Sequence, residues 1–181
     1  MLSWVSFNDK LINKRKEENI RKGKGKGKYM NHLEYSEENL ALVISLFKLY
    51  GKLFTHIRKD YLRKCLLDGK CIYEEQVLII YTIYKRDNRI GNYIAKKGSI
   101  TINQIVTGNQ GNGSAARVIR KFLSLHPNVC LSVRQDNERA VAFYRKVHLQ
   151  QSGTTSWKDG TIPGLVFSSP PSSALASSPC N

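Results

Sequence analysis

A glycine-rich turn between an apolar strand pattern and an amphipathic helix pattern constrains the fold of this chain more than any other feature. Residues 108–113 contain three glycines and two asparagines, and residues 114–125 place apolar side chains at helical spacing. Glycines let the backbone turn tightly, and the first turn of a helix presents unpaired N–H groups and the positive end of its dipole. The junction therefore predicts a binding site for an anion such as a phosphate or pyrophosphate.

Two known phosphate-binding patterns can be compared with this turn. Gly111-x-Gly113-x-x-Ala116 fits the dinucleotide pattern, whereas a nucleotide P-loop is excluded because no Lys-Ser/Thr pair follows the glycines. A dinucleotide domain would place the turn after its first strand and continue with several strand–helix units. Only one strand, one helix and a hairpin follow here, which disfavours an NAD(P)-dependent oxidoreductase. That function stays open as an alternative, with Arg134 as a candidate contact to NADPH.

Two helices and three strands are predicted before the glycine turn. Ser36 caps a helix that ends at Gly51, and a second helix covers residues 55–68, with a basic side that is either solvated or a nucleic-acid surface. β-Branched and aromatic residues indicate strands at 76–84, 90–95 and 100–107. Because short turns join these strands, they are expected to form an antiparallel meander.

The third of these strands changes its pattern before the glycine turn. Ile100 and Ile102 alternate correctly, but the next apolar residue is Ile105, so one residue is extra. A β-bulge inserts one such residue and leaves backbone groups unpaired. A loosely patterned strand end is the alternative interpretation.

After the turn the pattern predicts a helix from Ala115, a strand at 129–133, a helix capped by Asp136, and a hairpin of residues 149–157 and 161–167. The fold class is therefore α/β (α+β): one domain over residues 31–167, with a mixed, mostly antiparallel sheet flanked by helices. Residues 168–181, rich in Ser, Pro and Ala, predict a disordered tail.

Charge is concentrated at the start of the chain. The net charge is +15, and residues 1–30 hold nine Lys or Arg against three acidic residues. This composition predicts a flexible basic arm, which is either a tether to nucleic acid or ribosome or a solvated tail, including sequence upstream of Met30. A basic nucleic-acid- or ribosome-binding module is thus a second functional alternative.

The cysteines and the apolar runs bear on the compartment. The four cysteines form no CxxC pair and have no zinc-like spacing, so we expect reduced thiols, no structural metal and a cytoplasmic location. No apolar run approaches the roughly 20 residues of a membrane span, so no membrane partner is expected.

Two motifs resemble those of the GNAT superfamily of N-acetyltransferases. The turn Gln110-x-x-Gly113-x-Ala115 matches the Gln/Arg-x-x-Gly-x-Gly/Ala motif of that family. The helix Asn137-x-x-Ala140-x-x-Phe143-Tyr144 is similar to its second motif. The order of elements over residues 31–167 also resembles that of the family.

The resemblance implies an acetyl-CoA-dependent N-acetyltransferase acting on a primary amine in a ternary complex. The pantetheine arm of acetyl-CoA would pair like an extra strand with Ile105 and Val106, which splay from the next strand to form a cleft. Asn137 would contact that arm, and Tyr144 would protonate the departing thiolate. The acetyl acceptor and the oligomeric state, a homodimer included, are left open. The pyrophosphate would bind at the turn led by Gln110, on the N–H groups of Gly111, Asn112, Gly113, Ser114 and Ala115.

The chain departs from the family pattern at two points. His148 stands where a glycine often follows the second motif, and residues 100–107 contain no Asp or Glu to act as a general base. A base could come from Glu74, Glu75 or Asp159, or bulk water could take the proton. Tyr144 also lies on an apolar helix face, so a plain core role is the alternative to catalysis.

Overall fold

The computed structural model describes residues 29–51 and 57–170. The chain divides into two compact units, residues 1–30 and residues 31–181, and every element named below belongs to the second. The predicted basic arm, apart from its last two residues, and most of the predicted tail lie outside the described residues. The elements are α1 (Glu37–Lys48), α2 (Lys59–Leu67), β1 (Cys71–Glu74), β2 (Val77–Ile83), β3 (Asn88–Ile90), β4 (Tyr93–Ala95), β5 (Ile100–Thr107), α3 (Ser114–Leu125), β6 (Val129–Arg134), α4 (Glu138–Lys146), β7 (Gln150–Trp157) and β8 (Ile162–Ser168).

The two predicted N-terminal helices are present and pack on one face of the sheet. Ser36 caps α1 as predicted, since its hydroxyl accepts a hydrogen bond of 3.1 Å from the N–H of Asn39. Helix α2 is shorter than predicted, and residues 52–56 lie outside the described part. One core cluster joins both helices to the first half of the sheet through Leu40, Val43, Leu46, Phe47, Leu62, Cys65, Leu66, Cys71, Leu78, Ile80 and Val106.

Six strands form the main sheet in the order β1-β2-β5-β6-β8-β7. Strand β1 was not predicted, and it pairs antiparallel with β2 through a turn in which Glu75 and Gln76 have φ of 48° and 63°. All the strand pairs in this sheet are antiparallel except β5–β6. The predicted mixed, mostly antiparallel sheet is therefore confirmed.

The predicted three-stranded meander is wrong. Strand β2 pairs directly with β5, while β3 and β4 form a separate two-stranded sheet. The turn of this small hairpin binds the edge of the main sheet instead: the N–H of Asn92 donates to the carbonyl of Thr154 over 3.1 Å, and Asn92 Oδ1 accepts from the N–H of Thr154 over 2.7 Å. Hydrogen bonds to a residue 62 positions away thus replace the expected local pairing.

The predicted extra residue in β5 is present as a bulge. Ile80 pairs with Gln104 and Tyr81 with Ile102, so Asn103 has no partner of its own on β2. The pattern slip read from Ile102 and Ile105 therefore corresponds to one unpaired residue between them. Pairing with β2 resumes beyond the bulge and continues to Thr107.

Strands β5 and β6 separate soon after they begin. Only Ile100 with Val129 and Thr101 with Cys130 are paired, in parallel. Beyond Thr101 the two strands diverge, although β5 continues along β2 and β6 continues along β8 up to Arg134. The sheet therefore opens into a cleft whose closed end lies at Thr101 and whose wide end faces the glycine turn.

Helices α3 and α4 follow the predicted order, and the terminal hairpin closes the sheet. Arg120 of α3 donates to the carbonyl of Lys146 at the end of α4 over 3.1 Å, which links the two helices. The predicted hairpin turn at residues 158–160 has positive φ at all three positions. None of the helices in the described ranges is long and apolar enough to cross a membrane.

Candidate active site

The glycine turn has the backbone geometry of an anion-binding loop. Gly111 and Gly113 have φ of 85° and 76°, a left-handed region that other residues rarely adopt, and both are exposed. Within the described part of the chain, the N–H groups of Gly111, Asn112 and Gly113 donate to no acceptor. The positive end of α3 adds to the field at the same place.

Ser114, one of the predicted turn residues, is hydrogen-bonded to the side chain of Asn112. The N–H and the hydroxyl of Ser114 both donate to Asn112 Oδ1, over 3.0 and 2.7 Å. The side chain of Asn112 therefore acts as the polar cap of α3, because the N-cap residue Gly113 has no side chain to do so. A bound anion would have to share or displace this cap to reach the N–H of Ser114. Ala115 follows Ser114 in the first turn of α3.

Two of the carboxylates considered as general bases are ion-paired beside this turn. Glu75 accepts from Arg117 Nη2 over 2.6 Å, and Arg117 Nη1 also donates to the carbonyl of Asn112 over 3.2 Å. Glu74 accepts from Lys121 over 2.6 Å. These pairs fasten the β1–β2 turn to α3, and Arg117 offsets the negative charge of Glu75 near the anion site.

The open edge of β5 carries the next two predicted residues. Ile105 pairs with Ile79 and Val106 with Leu78 on the β2 side, so the two residues are held in an extended strand. Neither has a β6 partner, because the β5–β6 ladder ends at Thr101. Val106 also packs into the core with α1 and α2, which fixes the strand edge in place.

Gln110 joins three segments around the wide end of the cleft. Its Nε2 donates to the hydroxyl of Tyr50 over 3.0 Å, and Tyr50 in turn donates to the carbonyl of Thr107 over 2.7 Å. Its Oε1 accepts from Arg139 Nη2 of α4 over 2.8 Å. The side chain of Gln110 thus links the end of α1, the glycine turn and the start of α4.

Helix α4 begins one residue later than predicted. Asn137, not Asp136, is the N-cap, since its Oδ1 accepts from the N–H of Ala140 over 3.2 Å. Asp136 is instead ion-paired with Arg134. Asn137 and Tyr144 are seven residues apart, so they share one face of α4 about 10 Å apart along its axis.

Tyr144 lies on the buried side of α4. Its ring packs against Phe143 and Phe167 with centroid separations of 5.6 and 5.8 Å. Burial raises the pKa of Tyr144 to about 12, and no residue in the described ranges hydrogen-bonds its hydroxyl. The phenol is therefore protonated at neutral pH, and the same shift makes it a weaker acid than an exposed tyrosine.

The structure explains why a glycine is common after the second motif. His148 has φ of 67°, so the chain leaves α4 through a left-handed residue that glycine adopts at least cost. His148 is exposed, and it therefore carries this backbone strain at the surface. A role in ending the helix accounts for this position.

Sequence reasoning missed a polar cluster beside the bulge. Asn103 Nδ2 donates to the hydroxyl of Tyr61 on α2 over 3.2 Å and to the hydroxyl of Thr82 on β2 over 2.7 Å. The signal was an asparagine at the point where the apolar pattern of β5 slips. Since its two partners are distant in sequence, the cluster itself could not be predicted.

The topology differs from that of a dinucleotide-binding domain. A doubly wound sheet is mostly parallel, with helices crossing between successive strands. This sheet has a single parallel pair, β5–β6, and the candidate NADPH contact Arg134 is ion-paired with Asp136. Neither feature favours the dinucleotide alternative.

Comparison with known proteins places this fold among the GNAT acetyltransferases. A GNAT-family acetyltransferase from Bacillus cereus has a TM-score of 0.57 at 16% identity, over 80% of this chain and 99% of its own. NAA60 from Arabidopsis thaliana in complex with acetyl-CoA has a TM-score of 0.55 at 11% identity, over 77% and 97%. An aminoglycoside N(6')acetyltransferase from Legionella pneumophila has a TM-score of 0.55 at 18% identity, over 75% and 88%.

These identities are low, so the likeness establishes the fold. No protein-family model and no curated protein sequence matches the chain. The chain thus has the GNAT acetyltransferase fold, as its two motifs and its element order predicted.

Proposed function

We propose that this protein is an acetyl-CoA-dependent N-acetyltransferase that transfers the acetyl group to a primary amine by direct attack in a ternary complex. The observation that carries the proposal is the cleft between β5 and β6, which opens after Thr101 and leads to a turn with unpaired N–H groups. An unpaired strand edge offers both donors and acceptors to an extended chain bearing amides. Solved proteins of this fold in complex with acetyl-CoA or CoA support the same ligand.

The chain's own residues fit this ligand. The N–H groups of the turn would bind the pyrophosphate, and the edge of β5 would pair with the pantetheine arm, which Asn137 would contact from the start of α4. Gln110 would hold the turn against α1 and α4 through the hydrogen bonds of its side chain. The residues proposed to bind the ligand are Ile105, Val106, Gln110, Gly111, Asn112, Gly113, Ser114, Ala115 and Asn137.

The proposed reaction balances with one general acid. The amine nitrogen forms a bond to the acetyl carbon, the bond from that carbon to sulfur breaks, the sulfur gains a proton, and the amine loses one. Coenzyme A supplies the activated acetyl thioester. Tyr144 is proposed as the donor to sulfur, because its place in the second motif implies this role and its phenol is protonated at neutral pH. The tyrosinate then regains a proton from water, which has received the proton lost by the amine.

The proton lost by the amine is proposed to pass to bulk water. Glu74 and Glu75 are unsuitable bases, because each accepts from a cation of α3 beside the glycine turn. Asp159 lies in the exposed β7–β8 turn. Water needs no dedicated side chain, in keeping with a β5 strand that contains no carboxylate.

The remaining alternatives gain no comparable support. The nucleic-acid or ribosome alternative depends on the basic arm, residues 1–28 of which lie outside the described part. The cytoplasmic location stays a prediction, and the oligomeric state, a homodimer included, stays open. Three of the four cysteines, Cys65, Cys71 and Cys130, are buried free thiols, and Cys180 lies outside the described residues.

Calorimetry and turnover test the proposal together. We expect acetyl-CoA to bind the full chain and to raise its melting temperature. With the amidated tetrapeptide Ala-Glu-Ala-Ala as the amine, Tyr144→Phe should lower kcat at least tenfold while leaving the Kd of acetyl-CoA within twofold. Tyr93→Phe on β4 is the matched control and should change neither. A titration with acetyl-CoA that gives neither heat nor a thermal shift would refute the proposed function.

A further inference from the structure

The bulge residue Asn103 lies just beyond the closed end of the cleft. It lies two residues after Thr101, where β5 and β6 part, and two residues before Ile105 on the open strand edge. At about 3.3 Å per residue, each of these steps is about 7 Å along the strand. Asn103 therefore lies between the closed end of the cleft and the part of the strand edge proposed to bind the pantetheine arm.

The side chain of Asn103 is held in a fixed orientation. Its Nδ2 donates to both the Tyr61 and Thr82 hydroxyls, which uses both of its N–H bonds. Oδ1 accepts no hydrogen bond from any residue in the described ranges, and the residue is exposed. The cluster thus leaves Asn103 Oδ1 as an exposed acceptor with no donor among the described residues.

This acceptor lies on the face of the sheet that carries α2. Tyr61, its partner, is a residue of α2, whereas α3 and α4 are linked to each other and to the glycine turn. The exposed Asn103 and Thr82 therefore lie apart from the glycine turn and from Asn137, the groups proposed to bind the pyrophosphate and the pantetheine arm. An amine needs an oxygen to accept its N–H, and Asn103 Oδ1 supplies one.

A cation without an acidic partner lies next to this cluster. The guanidinium carbon of Arg58 is 6.0 Å from the centre of the Tyr61 ring. No carboxylate of the described residues lies within 4.0 Å of Arg58, whereas the neighbouring Arg63 is paired with Asp60. An exposed guanidinium in this state attracts anionic groups of an incoming molecule.

We propose that Asn103, fixed by Tyr61 and Thr82, binds the amine of the acetyl acceptor and that Arg58 selects acceptors carrying an acidic group near that amine. The substrate class is a primary amine with a neighbouring carboxylate or similar anion, such as the amino terminus of an acidic peptide. This assignment rests on the proposed N-acetyltransferase function and names its acceptor. Both residues are binding and specificity residues rather than proton-transfer groups.

Matched amidated tetrapeptides test the charge preference. Ala-Glu-Ala-Ala, Ala-Gln-Ala-Ala and Ala-Lys-Ala-Ala have the same free amino terminus and differ only at the second position. We expect kcat/KM to fall at least fivefold from Glu to Gln and further to Lys. Arg58→Met should remove the difference between the Glu and Gln peptides, which a purely structural role of Arg58 would not do.

Variants of the bulge test the amine contact. Asn103→Leu should raise the KM of the Glu peptide at least tenfold and leave the Kd of acetyl-CoA within twofold. Thr82→Val removes one hydrogen bond to the side chain of Asn103 but leaves Asn103 Oδ1 in place. It should raise the KM of the Glu peptide by a smaller factor. Asn128→Leu, an exposed asparagine at the start of β6, is the control and should change neither constant. Melting temperatures establish that each variant is folded.

The outcomes separate the two proposals. If acetyl-CoA does not bind, the proposed function fails. If acetyl-CoA binds but the Glu peptide is not acetylated faster than the Gln peptide, or Asn103→Leu leaves the KM of the Glu peptide unchanged, the acceptor assignment is overturned while cofactor binding stands.

Discussion

Arg139 donates from Nη2 to Oε1 of Gln110 over 2.8 Å and so ties the first turn of α4 to the glycine turn. The same amide donates to Tyr50 at the end of α1. Three segments that are distant in sequence thus meet at one side chain, at the wide end of the cleft. The glutamine of the motif is therefore a structural link as well as part of an anion-binding turn.

The link predicts coupled effects on stability. Gln110→Ala should lower the free energy of unfolding by about 1 kcal/mol, because it removes two exposed hydrogen bonds. Arg139→Ala should cost less, and the double variant should be less destabilised than the sum of the two by about 0.5 kcal/mol. Urea denaturation measures all three, and strictly additive values would show that the two side chains do not interact in solution.

Gly113 should be needed for both the fold of the turn and ligand binding. A Cβ at Gly113 would lie 3.3 Å from Arg117 Nη1, and its φ of 76° strains any other residue. Gly113→Ala should cost about 1 to 2 kcal/mol in stability and weaken acetyl-CoA binding at least tenfold.

Gly98→Ala is the matched control for that change. Gly98 has a similar φ of 86° with no atom within 4 Å of the added Cβ, and it lies at the opposite end of β5. We expect a comparable loss of stability with an unchanged Kd for acetyl-CoA, measured by calorimetry. Equal losses of affinity in both variants would mean that stability, and not the turn, sets the affinity.

The raised pKa of Tyr144 has a defined effect on alkaline stability. The folded-state pKa of about 12 lies above the usual value near 10, so the folded protein holds this proton more tightly than the unfolded chain. The contribution of this proton to the free energy of unfolding is complete below pH 10. As the pH rises from about 10 to 12, the free energy of unfolding falls on this account by at most about 3 kcal/mol.

Tyr144→Phe should therefore reduce the fall in stability between pH 9 and pH 11. Tyr61 also has a pKa raised to about 12 by burial, and it contributes equally to both proteins, so the difference between them isolates Tyr144. Denaturation curves at the two pH values provide the measurement. An identical fall in both proteins would contradict the raised pKa of Tyr144.

Much of the fold could be predicted because its signals are local. Three examples are the cap at Ser36, the apolar stripe of α3 and the residue slip in β5. Each is formed by residues close together in the sequence, and each is present in the structure. Strand β1 was missed because Cys71–Glu74 has only four residues, too few for a clear period. Pairing choices such as that of Asn92 with Thr154 depend on segments far apart in sequence, and periodicity carries no information about them.

In the candidate site, too, the features set by local sequence could be predicted and those set by distant contacts could not. The motifs identified the glycine turn and the positions of Asn137 and Tyr144 on one helix, since these are matters of spacing. The ion pairs of Glu74 and Glu75 with α3, and the cluster of Asn103 with Tyr61 and Thr82, arise only when β1, β2 and β5 lie side by side. The sequence therefore predicted where a phosphate could bind better than how an acceptor is chosen.

The small β3–β4 hairpin should depend on one glycine for its contact with the main sheet. An added Cβ at Gly91 would lie 1.9 Å from the carbonyl oxygen of Thr154, an overlap that only backbone movement can relieve. Gly91→Ala should therefore break the paired hydrogen bonds between Asn92 and Thr154 and lower the melting temperature by several degrees. Because the N–H of Thr154 donates to Asn92 Oδ1, its amide exchange should increase when that bond is broken.

Gly69→Ala gives the comparison for that variant. Gly69 has a φ of 63°, close to the 60° of Gly91, but no atom lies within 4 Å of its added Cβ. Gly69→Ala introduces the same backbone strain without the collision. The melting temperature of this variant should therefore fall less, and the exchange rate at Thr154 should not change. If the two variants behaved alike, left-handed strain alone would explain the effect, and the hairpin would contribute little to holding β7 in the sheet.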